Sequence, residues 1–313
     1  MPHARAAGAE TPRLEVRRTI RAGVAALWRA WTMQHSIAEW FSTSGARVTK
    51  VDVEPRTGGA LRIACKVGKK SWRLDGEFLE VVPERRLRFT WVTTDCPASA
   101  GSVVTVDFLA RGPATEIVVV QERFPSAKQR GENEQGWTEL LGQVEGLIAA
   151  QHTLKAEVRR TIQASPEAAF RAWTTPELLA RILTPGGFTP TRVERLEPRV
   201  GGRFRVWMIG GDREWLHEGE YLEVDAPRRL RFTWVSDWSP AELGATVTIT
   251  LTPRGKATDL VLVHERHLDR WCRDDHEHGW GELIGGLMTL AKIGFAIHGT
   301  VQAARAMKET KRR

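Results

Sequence analysis

Tyrosine is nearly absent from this chain, with one among 313 residues, and cysteine is scarce. The three thiols, Cys65, Cys96 and Cys272, are odd in number, fall at unrelated places and form no CxxC pair. A disulfide framework and a zinc ribbon are therefore excluded. No apolar run approaches the roughly 18 residues that a membrane span needs, and the N-terminus carries no apolar stretch of a secretory signal. A cytoplasmic protein with no membrane contact is the expectation. Catalytic signatures are missing as well: the chain has no nucleophile elbow, no Walker-type phosphate loop, no glycine-rich dinucleotide turn and no HExxH helix. Acidic residues are outnumbered, 38 against 46 basic, which leaves a formal charge of +8. That excess invites a nucleic-acid reading through phosphate neutralisation. The arginines, however, are spread along strand-like segments, and the one dense basic run is Lys308 to Arg313 at the C-terminus. Nucleic acid is not expected as a partner.

What the chain does have is a repeat. Glu15-Val16-Arg17-Arg18-Thr19-Ile20 returns as Glu157-Val158-Arg159-Arg160-Thr161-Ile162, 142 positions later. Arg86-Leu87-Arg88-Phe89-Thr90-Trp91 returns as Arg229-Leu230-Arg231-Phe232-Thr233-Trp234, and Gly136-Trp137 as Gly279-Trp280, now 143 positions on. A period this long exceeds the 20 to 50 residues of solenoid and propeller repeats, so each copy should close its own core. The composition, 42% apolar and 27% charged, suits two folded domains. The reading is a loose tail at 1–12, a first domain at 13–150, a linker at 151–155, a second domain at 156–298 and a basic tail at 299–313.

Within one copy, Leu14, Val16, Arg18 and Ile20 alternate with polar neighbours, the period of a half-buried strand. Ser165-Pro166-Glu167 supplies a helix cap, a proline at the first turn and an early acid. A second short helix is expected around Ser36 to Phe41 and Pro176 to Leu183. Gly58-Gly59 and Gly201-Gly202 read as hairpin turns opening a strand meander. Trp137, Leu140, Leu141, Val144 and Ile148, like Trp280, Leu283, Ile284 and Leu287, are spaced for a long amphipathic helix. About six antiparallel strands curved around one terminal helix result, an α+β domain, because that helix must cover the apolar face of the sheet.

These residues resemble the START-like, or polyketide-cyclase-like, superfamily with the helix-grip fold. The narrower likeness is to the branch named for the activator of the heat shock protein 90 ATPase. It rests on the Glu-Val-x-Arg-x-Ile opening, Ala-Trp-Thr in the first helix, Trp40-Phe41 after the second, and Gly-Gly before the hairpin. Gly76-Glu77-Phe78-Leu79-Glu80, the Arg-Leu-x-Phe-Thr-Trp strand and the closing Gly-Trp-x-Glu-Leu complete it. The second copy departs from it, with Ile182-Leu183 where the first has Trp40-Phe41. The resemblance implies a cavity between sheet and long helix. Members bind lipids, hormones or polyketides, some protect producers from reactive polyketides, some cyclise or hydrolyse them, and some bind a chaperone; fold does not choose among these.

Thirteen tryptophans stand out against the single tyrosine. Strand parity points Trp91 and Trp234 inward, and Trp137 and Trp280 lie on the apolar stripe of the closing helix. With Trp28, Trp40, Trp72 and Trp215 they suit a slot for a flat apolar guest. Arg18 and Arg160 fall on the inward parity, where a guanidinium needs a partner, with Glu77 and Glu220 as candidates. His217 is the candidate polar group of the pocket. His264, His267, Cys272, His276 and His278 suggest a metal, but the first copy has no such set and the spacing lacks the i, i+4 geometry of a helical pair. Neither a metal nor another cofactor is expected. The leading reading is a carrier or sequestering protein for an aromatic or polycyclic small molecule, including self-resistance. The alternatives are a cyclase or hydrolase using pocket Arg, His or Glu, and a contact that regulates a chaperone.

Overall fold

The computed structural model describes residues 13–42, 45–184, 189–210 and 212–310, without the side chains of 189–190 and 293–310. The expected loose tail at 1–12 lies outside the described residues, as do 311–313. Contacts divide the chain into two units, Met1–Gln151 and His152–Arg313.

The first domain begins with β1 (Leu14–Ile20), α1 (Val24–Thr32) and α2 (Gln34–Trp40). Strands β2 (Arg47–Val53), β3 (Ala60–Val67), β4 (Lys70–Val82), β5 (Arg86–Thr90), β6 (Val92–Thr93), β7 (Val103–Arg111) and β8 (Ala114–Glu122) lead into α3 (Ala127–Gln151). The sheet runs β1-β8-β7-β5-β4-β3-β2, with the two-residue β6 paired to β4. The second domain repeats this with β9 (Lys155–Ile162), α4 (Pro166–Thr174), α5 (Pro176–Ile182), β10 (Thr189–Leu196), β11 (Arg203–Gly210) and β12 (Arg213–Asp225). It closes with β13 (Arg229–Thr233), β14 (Thr246–Arg254), β15 (Ala257–Glu265) and α6 (Arg270–Thr310), the sheet running β10-β11-β12-β13-β14-β15-β9. The helical backbone of α6 includes 299–310, where a basic tail was expected.

Apart from the two-residue β6, the strand count exceeds the six expected by β2 and β10. Both are edge strands paired on one side only, to β3 and β11, and both carry register shifts. Residues of β2 are mostly exposed or half-buried, so the alternation that marks a buried strand is diluted. Elsewhere local chemistry and outcome agree. Ser165 caps α4, its hydroxyl accepting from the Ala168 N–H at 3.3 Å, and the indole of Trp31 on α1 is buried with Leu27 and Ala30.

Each sheet bends where its longest strand changes partners. At the bend sits a glycine, Gly76 or Gly219, and a Cβ there would lie 2.5 Å from the Thr90 carbonyl oxygen or 1.9 Å from that of Thr233. The concave face so formed is covered by the long helix. Leu140, Leu141, Val144 and Ile148 of α3, and Leu283, Ile284 and Leu287 of α6, are buried in the cores of their domains. Each such side chain contributes about 1.5–3 kcal/mol on leaving water.

Gly219→Ala should cost about 1–3 kcal/mol, since the added carbon must displace backbone. Gly146→Ala, with nothing within 4 Å of the new carbon on α3, should be neutral or stabilising by up to about 1 kcal/mol. Urea unfolding midpoints check both; equal effects would refute the close approach at the bend.

Candidate functional site

Three tryptophans meet in each domain at the open end of the sheet and helix sandwich. Trp72 and Trp215 stand on β4 and β12, Trp91 and Trp234 follow β5 and β13 directly, and Trp137 and Trp280 lie in the N-terminal half of α3 and α6. Ring centroids of Trp91 and Trp137 are 4.9 Å apart, and those of Trp234 and Trp280 5.0 Å. The helix indole is pinned by its N–H. Trp137 Nε1 donates to Gln121 Oε1 at 2.8 Å, Asn133 Nδ2 donates to the same oxygen at 3.1 Å, and Gln121 Nε2 donates to Ser102 Oγ at 2.9 Å. Trp280 Nε1 donates to His264 Nδ1 at 3.2 Å. Buried polar atoms need such partners, so the acceptor on the last strand fixes how the helix sits on its sheet.

The tryptophans wall a cavity of about 360 Å³ in the first domain and about 400 Å³ in the second. Deeper in the first domain, between sheet and helix, only about 20 Å³ is open, because Trp31, Trp40, Phe41, Phe78 and Phe89 fill the space. Trp31 lies 4.8 Å from Trp40 and stacks at 6.1 Å on Trp137. A second space of about 400 Å³ in the second domain lies between α4 and α6, against Ala169, Leu178, Leu287 and Leu290. It carries little polar chemistry.

Polar groups separate the two tryptophan-walled cavities. The first presents Asn133, Gln129, Asp95 and Cys96. The second presents His217, Ser236, Asp237 and His276. His217 Nδ1–H donates to the Trp215 carbonyl oxygen at 3.2 Å, and its ring is 5.0 Å from Trp234. Burial holds this imidazole neutral, lowering its pKa to about 4. Trp234 Nε1 and Ser236 Oγ are buried without a hydrogen-bond partner. The buried thiols offer no nucleophile: burial pushes Cys65 up to about 11, and burial with the nearby Asp269 carboxylate raises Cys272 further.

The family model described as Activator of Hsp90 ATPase homolog 1-like protein matches twice, at residues 21–149 and 163–292. The chain belongs to this family. A stretch of one domain's length aligns with a solved protein from Chromobacterium violaceum at 29% identity, covering 44% of this chain and 97% of that one, with a TM-score of 0.41. A protein from Mesorhizobium loti aligns at 28% identity over 44% and 97% of the two chains, TM-score 0.38. A protein of the dynemicin biosynthetic locus spans both domains, covering 89% of this chain and 98% of its own at 16% identity, TM-score 0.35. No curated protein matches.

The cavities of this two-domain family member gather Trp72, Trp91 and Trp137, and Trp215, His217, Trp234 and Trp280. The other sequence candidates lie elsewhere. Arg18 takes the inward parity, but its length carries the guanidinium to the helix, where Nε donates to Glu145 at 2.8 Å. Glu145, not Glu77, is its partner. Glu77 falls on the opposite parity to buried Phe78 and is exposed. Arg160 is exposed and donates to the Arg159 carbonyl oxygen at 2.8 Å, while Glu220 pairs with Arg203 at 3.8 Å. Trp28 meets Phe108 edge-on at 5.5 Å, and Trp40 donates to the Ala30 carbonyl oxygen at 2.7 Å within the filled core. Trp238, unforeseen in the sequence, joins the second cavity and lies 5.5 Å from Trp271.

The spacing argument against a histidine cluster does not hold in three dimensions. His264 on β15, His267 in the following loop and His276 on α6 bring one nitrogen each within 4.8 Å of the others. His278 stands apart, exposed and 3.6 Å from Glu282.

In chelator-treated protein, unfolded histidines take up protons below about pH 6.5. His217 and His267 resist until about 4, chiefly through burial. The unfolded state therefore binds more protons in this window, and stability is lost as pH falls from 6.5 towards 4. Among the described residues the first domain buries no histidine. Hydrogen exchange of the intact chain, corrected for intrinsic rates, should speed up at about pH 5 relative to about pH 7 in β12, β15 and α6 but not in β4, β8 and α3. Equal loss in both domains would refute this assignment.

Proposed function

We propose that this protein binds a flat, largely apolar small molecule carrying oxygen acceptors, such as a polycyclic aromatic ketone or quinone, in the tryptophan-walled cavity of its second domain. Carriage or sequestration of that molecule is the biological reading. One observation carries it: the indole N–H of Trp234 and the hydroxyl of Ser236 both face burial without a partner while lining that cavity. Buried donors left unmatched are costly, and a guest oxygen would satisfy them. The volume of about 400 Å³ lies in the range of small-molecule sites. The indoles of Trp234 and Trp280 touch edge to face, 5.0 Å apart at 61°, and together form one aromatic wall against which a ring system can pack. In the first domain the interior below the tryptophans is filled. Binding without turnover is favoured over cyclase or hydrolase chemistry because the Nδ1–H of the neutral His217 is held by the Trp215 carbonyl oxygen and not by a carboxylate that would orient it as a base.

Titration of tryptophan fluorescence with anthraquinone and anthracene tests the reading. Anthraquinone should bind more tightly by roughly 2–10-fold, the share of one net hydrogen bond. Trp234→Phe should remove that preference while retaining affinity for anthracene, and Trp234→Ala should weaken both. Unchanged emission across a wider panel of aromatic ketones would overturn the proposal, as would an undiminished preference for anthraquinone in the Trp234→Phe variant.

A further inference from the structure

The two copies share a backbone in the loop after their last strand, with Arg123 and Arg266 both in the left-handed region at φ 64° and 66°. Three side chains around that loop differ together. Where the first domain has Gln121, Phe124 and Asn133, the second has His264, His267 and His276. In the first domain the polar members close a hydrogen-bonded chain through Trp137 and Ser102. In the second the chain is open. His264 Nε2 and His267 Nδ1 are buried without a hydrogen-bond partner.

We propose that the second domain binds a divalent transition-metal ion of the Zn²⁺ or Co²⁺ kind through His264, His267 and His276. The inference does not rest on the small-molecule reading and concerns different atoms. Tautomers are already set for two of the three ligands. His267 Nε2–H donates to the His264 carbonyl oxygen at 3.0 Å, which leaves Nδ1 with its lone pair. His276 Nδ1–H donates to the Cys272 carbonyl oxygen at 2.7 Å, which leaves the lone pair on Nε2. An imidazole whose other N–H is held by a carbonyl is the usual supporting arrangement of a metal-bound histidine. Ring centroids of His264 lie 4.4 Å from His267 and 4.7 Å from His276. Ligand nitrogens now lie within 4.8 Å of one another. At a metal–nitrogen distance of about 2.0–2.1 Å, tetrahedral ligands sit roughly 3.4 Å apart, so each side chain moves in by less than about 1 Å.

The third ligand undergoes a tautomer change. His264 Nδ1 accepts from Trp280 at 3.2 Å, so its proton resides on Nε2 in the metal-free protein. On ligation that proton moves to Nδ1, Nε2 gives its lone pair to the metal, and the Trp280 N–H loses its acceptor, a cost that three metal–nitrogen bonds must exceed. No proton is lost overall. Neutral imidazoles select borderline ions such as Zn²⁺, Co²⁺, Ni²⁺ and Cu²⁺ over Mg²⁺ and Ca²⁺, which take oxygen ligands. Of the three, His276 also lines the tryptophan-walled cavity, the side from which an ion would approach.

The test uses the full-length chain without an affinity tag, stripped with a chelator and titrated with Co²⁺, then Zn²⁺. The expected result is one Co²⁺ per chain with the visible d–d bands of a four- or five-coordinate site, bleached by Zn²⁺. His267→Phe and His276→Asn, the residues of the first copy, should each weaken binding by more than about 100-fold, beyond the loss expected from a supporting contact alone. Zn²⁺ should raise the melting temperature of the wild type but not of these variants. X-ray absorption of the Zn²⁺-loaded wild type should reveal three imidazoles, a reading that needs no variant to fold. Absence of stoichiometric Co²⁺ uptake by the wild type overturns the proposal and leaves a trapped water as the bridge among the three nitrogens. So does a coordination shell with fewer than two imidazoles, or undiminished uptake by a folded variant carrying His264→Gln, His267→Phe and His276→Asn.

Discussion

One buried hydrogen bond per domain sets the rest of the architecture: the indole N–H of the closing helix must find an acceptor on the last strand. A curved antiparallel sheet exposes a concave apolar face that a single helix has to cover, and apolar contacts alone leave that helix free to slide by a turn. The Trp137 and Trp280 N–H groups remove that freedom, because a donor buried without a partner is costlier than a change in packing. Trp137 finds Gln121 and Trp280 finds His264. The pinned indoles then become one wall of the open cavity, facing Trp91 and Trp234. Core and site therefore share a residue, and a shift of the helix would be felt in both.

Much of this was legible in the sequence because periodicities survive duplication. Alternation in Leu14 to Ile20 and in Arg229 to Trp234 marks strands, and the parity of Trp91 and Trp234 puts them on the concave face. Parity also held the answer for Glu77, whose neighbour Phe78 is buried, yet charge complementarity to Arg18 drew it inward in the reading. Arg18 was misjudged for a different reason. Its Cα takes the inward parity, but a long side chain carries its charge past the core to Glu145 at the helix. The histidine cluster was unreadable by spacing because its members come from a strand, a loop and a helix. The difference between the two copies at positions 121, 124 and 133, which counts against a repeated metal site, is equally the mark of a cluster peculiar to the second copy.

The basic excess has a local explanation. On the outer faces of the sheets, arginines pair with carboxylates two residues along the same strand, as in Arg17 with Glu15, Arg73 with Asp75 and Arg159 with Glu157. Others pair across strands, as in Arg86 with Asp107. Side chains two apart on a strand project to the same face, so this pattern is what a solvated sheet surface demands of its charges. Pairs this exposed add little stability. They do keep the convex faces wet, and they spread the charge instead of gathering it into a stripe that would track a phosphate backbone.

Divergence between the copies follows from the capacity of the acceptor. Gln121 can take two donors on its oxygen and give its own N–H to Ser102, so the network around Trp137 ends with nothing left over. A histidine in the same place accepts once and must put its remaining nitrogen somewhere. With Gln121 and Asn133 exchanged for His264 and His276, and the apolar Phe124 for His267, the surplus nitrogens turn towards one another instead of cancelling. Volume changes in the same direction: the first domain packs Trp40, Phe41 and Phe108 where the second has Ile182, Leu183 and Leu251. Aromatic bulk that packs against Trp31 and fills the first domain is thus missing from the second. A fold that needs only one acceptor and one covering helix tolerates both outcomes, so one copy remains solid beneath its tryptophans, with the indole of its closing helix bonded to Gln121. The other keeps unmatched donors and lone pairs beside its cavity, and the physical incentive to take up a ligand resides there.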